Sequence, residues 1–352
     1  MHRVCVVGSG NFGSTMAKVI AENIVAKDLK DFEKEVRMFV YDELIDGESI
    51  VDIINKKHEN VKYLAGIKLP ENIVAYRDLG EACTDCDYLV FVTPHQFITS
   101  LLPQMVGKFR KDATGISLIK GVYVNDNKIE LMTELISDYL HIPCGGLMGA
   151  NIAMNVAKQE FSETTIGFSE PELGEKWYPL FHNRYLRVKV IRDVYLQQLC
   201  GTLKNVIALG GGFIDGMGYG QNTKAAILRI GLEEMYEFAR WYYPAKNCQS
   251  LTLIETCGIG DLIATSYGGR NHRCALEFAK TGKDFEVIEA ELLKGQKLQG
   301  TLSAKEIYQL LKARHATKKF PLFTTIYLIC NKQVPLETIF DYDGSHLDIE
   351  EE

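Results

Sequence analysis

No segment of this 352-residue chain approaches the ~20 consecutive apolar residues that a membrane-crossing helix needs, so a membrane partner is not expected. A surplus of positive charge is missing too. Lys and Arg number 39 against 46 Asp and Glu, a formal charge of −7, which argues against nucleic acid as a partner. There is no internal repeat and no low-complexity stretch. The first strand-like residues begin within three positions of Met1, so a signal peptide is not expected. The chain ends Glu-Glu-Glu rather than in a peroxisomal tripeptide. A disulfide framework is absent: nine scattered cysteines read as reduced thiols in a cytoplasmic protein. Cys83-Thr84-Asp85-Cys86 has C-x-x-C spacing but no second Cys or His pair near it, so no metal is expected. What remains is an ordinary soluble composition, 46% hydrophobic and 24% charged, long enough for two domains.

The most informative feature present is Gly8-Ser9-Gly10-Asn11-Phe12-Gly13, directly after the apolar run Val4-Cys5-Val6-Val7. The spacing G-x-G-x-x-G at a strand-to-helix junction suits a pyrophosphate. The first glycine allows the turn, the second lets backbone N–H groups approach, and the third lets the helix pack closely. A helical stretch, Ser14 to Ala26, follows, and a second strand-like run, Val36 to Tyr41, ends at Asp42-Glu43. An acidic residue at that strand tip is where a ribose hydroxyl is read, and it repels the extra phosphate of NADP. The expected cofactor is NAD.

The first half alternates strand and helix signals, implying βαβ units and a mainly parallel sheet. Strands are expected at Tyr88–Thr93, Gly115–Lys120, Gly145–Gly149, Thr164–Phe168 and Leu186–Ile191, with Lys128 to Tyr139 helical. From about Val194 helical periodicity dominates. The expected architecture is a Rossmann-type α/β dinucleotide-binding domain over residues 1–193, followed by an all-α substrate domain over 194–352.

In the second half, Leu196, Leu199, Cys200, Leu203, Val206 and Ile207 form an apolar helical stripe. Lys204 falls about 80° from Leu196 at the stripe's edge. There it suits either a half-withdrawn acid/base lysine or a snorkelling one. Asp261 and Thr265 stand at i, i+4 on one helix face. Gly268-Gly269-Arg270-Asn271 presents a guanidinium and backbone donors at a helix start, which suits phosphate. Met148-Gly149-Ala150-Asn151-Ile152-Ala153 lies beyond a strand end, where open α/β sheets bind ligands, and Lys120 ends a strand. Each also suits a cap, a turn or a solvated charge. Together they supply cations, amide donors and one carboxylate, as a phosphorylated carbonyl substrate needs. A small basic cluster can hold an anion on an acidic protein, because screening cuts off at ~8 Å.

At these residues the chain resembles the NAD-dependent glycerol-3-phosphate dehydrogenases. The likeness is carried by the glycine loop, Pro94-His95-Gln96-Phe97, Ile116 to Gly121, Met148 to Ala153, Leu203-Lys204-Asn205-Val206, Asn222-Thr223-Lys224-Ala225-Ala226, Asp261-Leu262-Ile263, Tyr267 to Asn271 and Gly295-Gln296-Lys297-Leu298-Gln299-Gly300. His58 to Leu64 favours the eukaryotic cytosolic branch. The resemblance implies a cytoplasmic homodimer that reversibly reduces dihydroxyacetone phosphate with NADH to sn-glycerol 3-phosphate. It implies Lys204 as the acid/base residue with Asp261 and Thr265 beside it, and Lys120 serving both catalysis and substrate binding. Asn151, Asn205, Thr265, Arg270 and Asn271 would complete the substrate site. Gly8, Ser9, Gly10, Asn11, Phe12 and Gly13 would hold the cofactor with Tyr41, Phe97, Ala153, Arg270, Lys297 and Gln299. Tyr41 stands where relatives often carry phenylalanine. Three other readings stay open: a related two-domain dehydrogenase for another phosphorylated or hydroxy-acid substrate, with a differently spaced lysine carrying the chemistry; a dehydrogenase with His95 as acid/base; or a non-catalytic NAD-sensing protein.

Overall fold

The computed structural model describes residues 1–125, 128–293, 298–341, 344 and 347. It resolves into two compact units. The first comprises Met1–Tyr123 and Leu131–Val194; the second takes Val124–Glu130 and the chain from Tyr195 onward.

In chain order the strands are β1 (His2–Val7), β2 (Phe32–Phe39), the short β3 (Leu44–Ile45) and β4 (Glu48–Ser49), β5 (Ile73–Tyr76), β6 (Tyr88–Phe91), β7 (Thr114–Ser117), β8 (Val122–Asn125), β9 (Lys128–Leu131), β10 (Cys144–Met148), β11 (Ser162–Gly167) and β12 (Leu186–Ile191). The helices of the first unit are α1 (Asn11–Ala26), α2 (Ile50–Lys57), α3 (Leu79–Cys83), α4 (Ile98–Met105), α5 (Met132–Leu140), α6 (Ala153–Ala157) and α7 (Pro171–Phe181). The main sheet runs β12-β11-β10-β7-β6-β1-β2-β5, and every neighbouring pair is parallel except β10–β11. This is the expected Rossmann-type arrangement. Its central strand shows why the sequence reads as a continuous apolar run. Val4 and Val6 enter one core layer with Met16, Ile20 and Trp177, while Cys5 and Val7 enter the opposite layer with Leu79, Ile98, Leu102 and Ile136. A strand buried on both faces has no polar side to alternate with.

Several expected boundaries shift. β2 stops at Phe39 and β7 at Ser117, so Tyr41 and Lys120 lie on the loops beyond those strands. The stretch Lys128–Tyr139 is not one helix: Lys128–Leu131 is strand β9, and the helix α5 starts at Met132. The cause is tertiary. The Tyr242 hydroxyl accepts from the Ile129 N–H at 2.6 Å and donates to the Ile129 carbonyl at 3.0 Å, taking up the main-chain groups a helix would use.

Among the described residues, the regular structure of the second unit outside the Val124–Glu130 segment is helical: α8 (Val194–Gly216), α9 (Gln221–Tyr242), α10 (Asp261–Gly268), α11 (Arg270–Thr281), α12 (Phe285–Leu293), α13 (Gln299–Ala313) and α14 (Pro321–Cys330). From Leu196 to Ile214 every residue of α8 is buried, so the helix has no solvent side and Lys204 is not at the edge of a stripe. Glycines explain how neighbours surround it. A Cβ on Gly212 would lie 2.5 Å from the His272 carbonyl oxygen, and one on Gly216 would lie 2.5 Å from Ala279 Cβ, so α11 packs directly on the α8 backbone.

Candidate active site

In the first unit the candidate residues gather where parallel strands end. Gly8 follows β1 with φ of 124°, a conformation that disfavours any side chain. A Cβ on Gly13 would sit 2.2 Å from the Gly8 carbonyl oxygen, so only glycine lets α1 start this close to the strand. Gly10, the residue capping α1, has nothing within 4 Å of where a Cβ would point, and no side chain caps the helix. No acidic residue occupies the first turn of α1. An open, uncapped helix N-terminus behind a tight glycine turn fits the pyrophosphate of a dinucleotide.

The loop is held from behind by a residue that sequence reasoning passed over. Asn60 is fully buried and donates to the Ser9 carbonyl at 2.8 Å and to Ser14 Oγ at 2.9 Å, while its own Oδ1 accepts from the Tyr63 N–H. The only sequence signal was its place in the family-like segment His58 to Leu64. Asn11 is exposed and Phe12 half-buried in the first turn of α1. The Ala153 carbonyl accepts from Thr15 Oγ1 at 3.3 Å, bringing the start of α6 to the flank of α1. Tyr41 and Phe97 present exposed rings, 81% and 53% accessible, on the loops after β2 and β6.

Asp42 accepts from Ser49 Oγ at 2.6 Å and from Arg77 Nε at 2.9 Å. The Ser49 hydroxyl, with Arg77 beside it, holds this carboxyl below its ordinary range, so the strand tip is anionic. Further along the same edge, Lys120 Nζ donates to the Gly149 carbonyl at 3.3 Å. Asn151 is buried and donates to Thr164 Oγ1 at 3.1 Å, and that hydroxyl donates to the Met148 carbonyl. His95 packs against Gly121, and burial pushes its pKa below the ordinary value. Among the described residues no side chain hydrogen-bonds its ring, so nothing orients it as an acid or base.

The second unit assembles the reactive group. Lys204 is 6% exposed at mid-length in α8, and Asp261 is 4% exposed in the first turn of α10. Lys204 Nζ donates to Asp261 Oδ1 at 2.5 Å and to Thr265 Oγ1 at 2.7 Å. The i, i+4 spacing of Asp261 and Thr265 thus gives one helix face two acceptors for one ammonium. A single π-helical turn, Thr256–Gly260, delivers the chain into α10. Asp261 at the helix start also lies where the macrodipole favours a negative charge.

One residue along α8, Asn205 Oδ1 accepts from Asn271 Nδ2 at 2.9 Å. Asn271 Oδ1 in turn accepts from the Gly300 N–H at 2.9 Å. This chain of amides ties α8 to the first turns of α11 and α13. Gly300 is a role that spacing did not reveal: a Cβ there would lie 2.8 Å from both the Asn205 carbonyl oxygen and Asn271 Oδ1. Arg270, exposed, opens α11, whose first turn holds no acidic residue and no side-chain cap. Gln299 opens α13 and is half-buried. Lys297 lies outside the described residues.

The structure therefore brings Lys204, Asn205, Asp261, Thr265 and Asn271 together in one unit, and the glycine loop, Lys120, Asn151 and Ala153 along one sheet edge in the other. Two family models match the chain. One for the N-terminus of NAD-dependent glycerol-3-phosphate dehydrogenase matches residues 3–174, and one for its C-terminus matches residues 193–341. The human protein named glycerol-3-phosphate dehydrogenase [NAD(+)], cytoplasmic, is 48% identical over 334 residues, 95% of this chain and 95% of that one. Its Drosophila melanogaster namesake is 47% identical over 344 residues, covering 97% and 94%. The solved structure of glycerol-3-phosphate dehydrogenase from Saccharomyces cerevisiae superposes with a TM-score of 0.92 at 40% identity, covering 97% of this chain and 99% of that one.

Proposed function

The chain belongs to the NAD-dependent glycerol-3-phosphate dehydrogenase family, and from that premise we propose that it reversibly reduces dihydroxyacetone phosphate to sn-glycerol 3-phosphate with Lys204 as the acid/base residue. The observation that carries the assignment of Lys204 is its buried contact with Asp261 and Thr265. A lysine that merely snorkelled would keep its ammonium in water.

When bound, NADH supplies the hydride that adds to C2 of the substrate. As that hydride arrives, negative charge builds on the carbonyl oxygen, and the Lys204 ammonium is the group that stabilises it and then gives up a proton. Asp261 and Thr265 fix the direction of the ammonium, so it need not reorganise during the step. Asp261 compensates its charge away from bulk water. In the reverse direction the neutral amine takes the proton from the C2 hydroxyl. Arg270 and the N-terminal turn of α11, with Asn205 and Asn271, hold the phosphate, and Lys120, Asn151 and Thr265 complete the substrate site. Binding at that remote group orients the reacting carbon and offsets the entropy of alignment. Gly8, Ser9, Gly10, Asn11, Phe12 and Gly13 would hold the cofactor's pyrophosphate, and Tyr41, Phe97, Ala153, Arg270 and Gln299 would make its remaining contacts, a role the family resemblance alone extends to Lys297. The anionic Asp42 supports NAD over NADP.

Relatives carry "cytoplasmic" in their names, and the same location is proposed here. The active species is proposed to be a homodimer, and the domain limits are placed at 1–193 and 194–352 along the sequence. The test is loss of NADH absorbance when dihydroxyacetone phosphate is added to purified protein, with NADPH in parallel. Rapid loss with NADH and little with NADPH is expected. No loss with either, in protein that binds NADH, would overturn the assignment and leave the fold untouched.

A further inference from the structure

A second buried charge cluster takes no part in the chemistry above. Lys224, in α9, is 4% exposed, and its Nζ donates to Asp215 Oδ2 at 2.6 Å. His272 Nε2 stands 2.6 Å from the same oxygen and 3.4 Å from the ammonium. With one carboxylate oxygen accepting from both, the imidazole carries its proton on Nε2. Its Nδ1 is buried with no hydrogen-bond partner among the described residues, so the ring's polar anchoring runs through Asp215. Burial opposes the charge on Asp215, yet the bonds from Lys224 and His272 outweigh it and hold the carboxyl below its ordinary range.

The cluster joins the helices that carry the reactive groups. Asp215 closes α8, which holds Lys204 and Asn205. His272 follows Arg270 and Asn271 in the first turn of α11. The Lys224 ammonium lies 4.9 Å from the centre of the Tyr267 ring in α10, the helix of Asp261 and Thr265. One side chain from α9 therefore meets all three. Its charge is matched by Asp215, which argues against Lys224 being an anion site in its own right. Apolar packing stabilises a helix bundle as well as a buried ion pair does, but it does not fix helix register through directed bonds.

We propose that Lys224, Asp215 and His272 are positioning residues, which set the first turn of α11 so that Arg270 and Asn271 meet the substrate phosphate. The proposal rests on the phosphate-binding reading of those two residues. It is tested with His272→Leu and His272→Gln, each alone and combined with Arg270→Ala, by measuring KM for dihydroxyacetone phosphate, kcat and the NADH dissociation constant. His272→Leu is expected to raise KM about tenfold, with kcat changed less than about twofold and NADH binding weakened no further than Arg270→Ala weakens it. His272→Gln, which still donates to Asp215, should recover most of the loss. In the Arg270→Ala background His272→Leu should add less than about twofold, because both changes act on one turn. An unchanged KM in His272→Leu, equal effects in both backgrounds, or no recovery in His272→Gln would each overturn the positioning role. Should His272→Leu not fold, Asp215→Asn, of the same shape, is read by the same cycle. If Arg270→Ala itself leaves KM unchanged, the phosphate reading fails instead.

Discussion

Replacing Lys204 by alanine separates the catalytic role from the structural one. Lys204 is 6% exposed, and its ammonium touches Asp261 at 2.5 Å and Thr265 at 2.7 Å. As general acid it contributes a factor of about 10²–10⁴ in kcat. At roughly 1.4 kcal/mol per decade, that is about 3 to 5 kcal/mol of barrier. The same substitution takes the ammonium from a buried carboxylate, which destabilises a fold by about 3–5 kcal/mol. Loss of activity could then reflect loss of folded protein. The double variant Lys204→Ala/Asp261→Ala resolves this, since it removes the carboxylate together with its partner. Steady-state turnover with NADH and dihydroxyacetone phosphate, unfolding midpoints and NADH affinity are measured for all three proteins. The double variant should regain most of the stability and none of the turnover, with NADH affinity close to that of the parent. A folded Lys204→Ala protein with near-parental kcat, or recovery of kcat along with stability in the double variant, would refute the reasoning.

Three further outcomes follow from geometry. Gly10→Ala meets nothing within 4 Å, so its unfolding midpoint should match the parent, while NADH affinity, read by cofactor fluorescence, should fall about tenfold as the methyl enters the pyrophosphate space. Gly300→Ala places a methyl 2.8 Å from Asn205 O and Asn271 Oδ1; KM for the substrate should rise with NADH affinity retained, and an unchanged KM would rule out the amide chain as part of the site. Glu234 in α9 is buried and accepts from the Leu322 and Phe323 N–H groups, and burial raises its pKa from 4.5 to about 7. The folded state therefore holds that proton more tightly than the unfolded chain, a contribution fully present below pH 4.5 and lost as pH rises through 7. Denaturant unfolding from pH 5 to 8 should show the parent losing up to about 3 kcal/mol relative to Glu234→Gln across that range, whereas parallel profiles would exclude the effect.

How much of this was legible depended on whether the physical rule was local. Gly8, Gly10 and Gly13 could be assigned because a tight turn, a close approach and a helix start each constrain the backbone at a single position. Asp261 and Thr265 could be placed on one face because helical spacing alone puts them there. The full burial of Lys204 was not legible. A stripe counts apolar residues on its own helix, while burial depends on which other helices close around it, and here Gly212 and Gly216 admit α11. Asn60 and Gly300 lay in family-like segments, but their roles were not legible, since each acts through a partner far away in sequence.

Helical and strand periodicity, the glycine turn and the ordered family segments were thus set by the sequence itself, because each is a property of neighbours along the chain. Tertiary structure alone decided that Lys128–Leu131 is a strand answered by the Tyr242 hydroxyl, that Lys204 meets a carboxylate 57 positions away, and that Asp215, Lys224 and His272 share one oxygen. Those outcomes turn on distances between groups that only packing brings together. A buried charge is tolerated only when packing brings such a partner within hydrogen-bond reach.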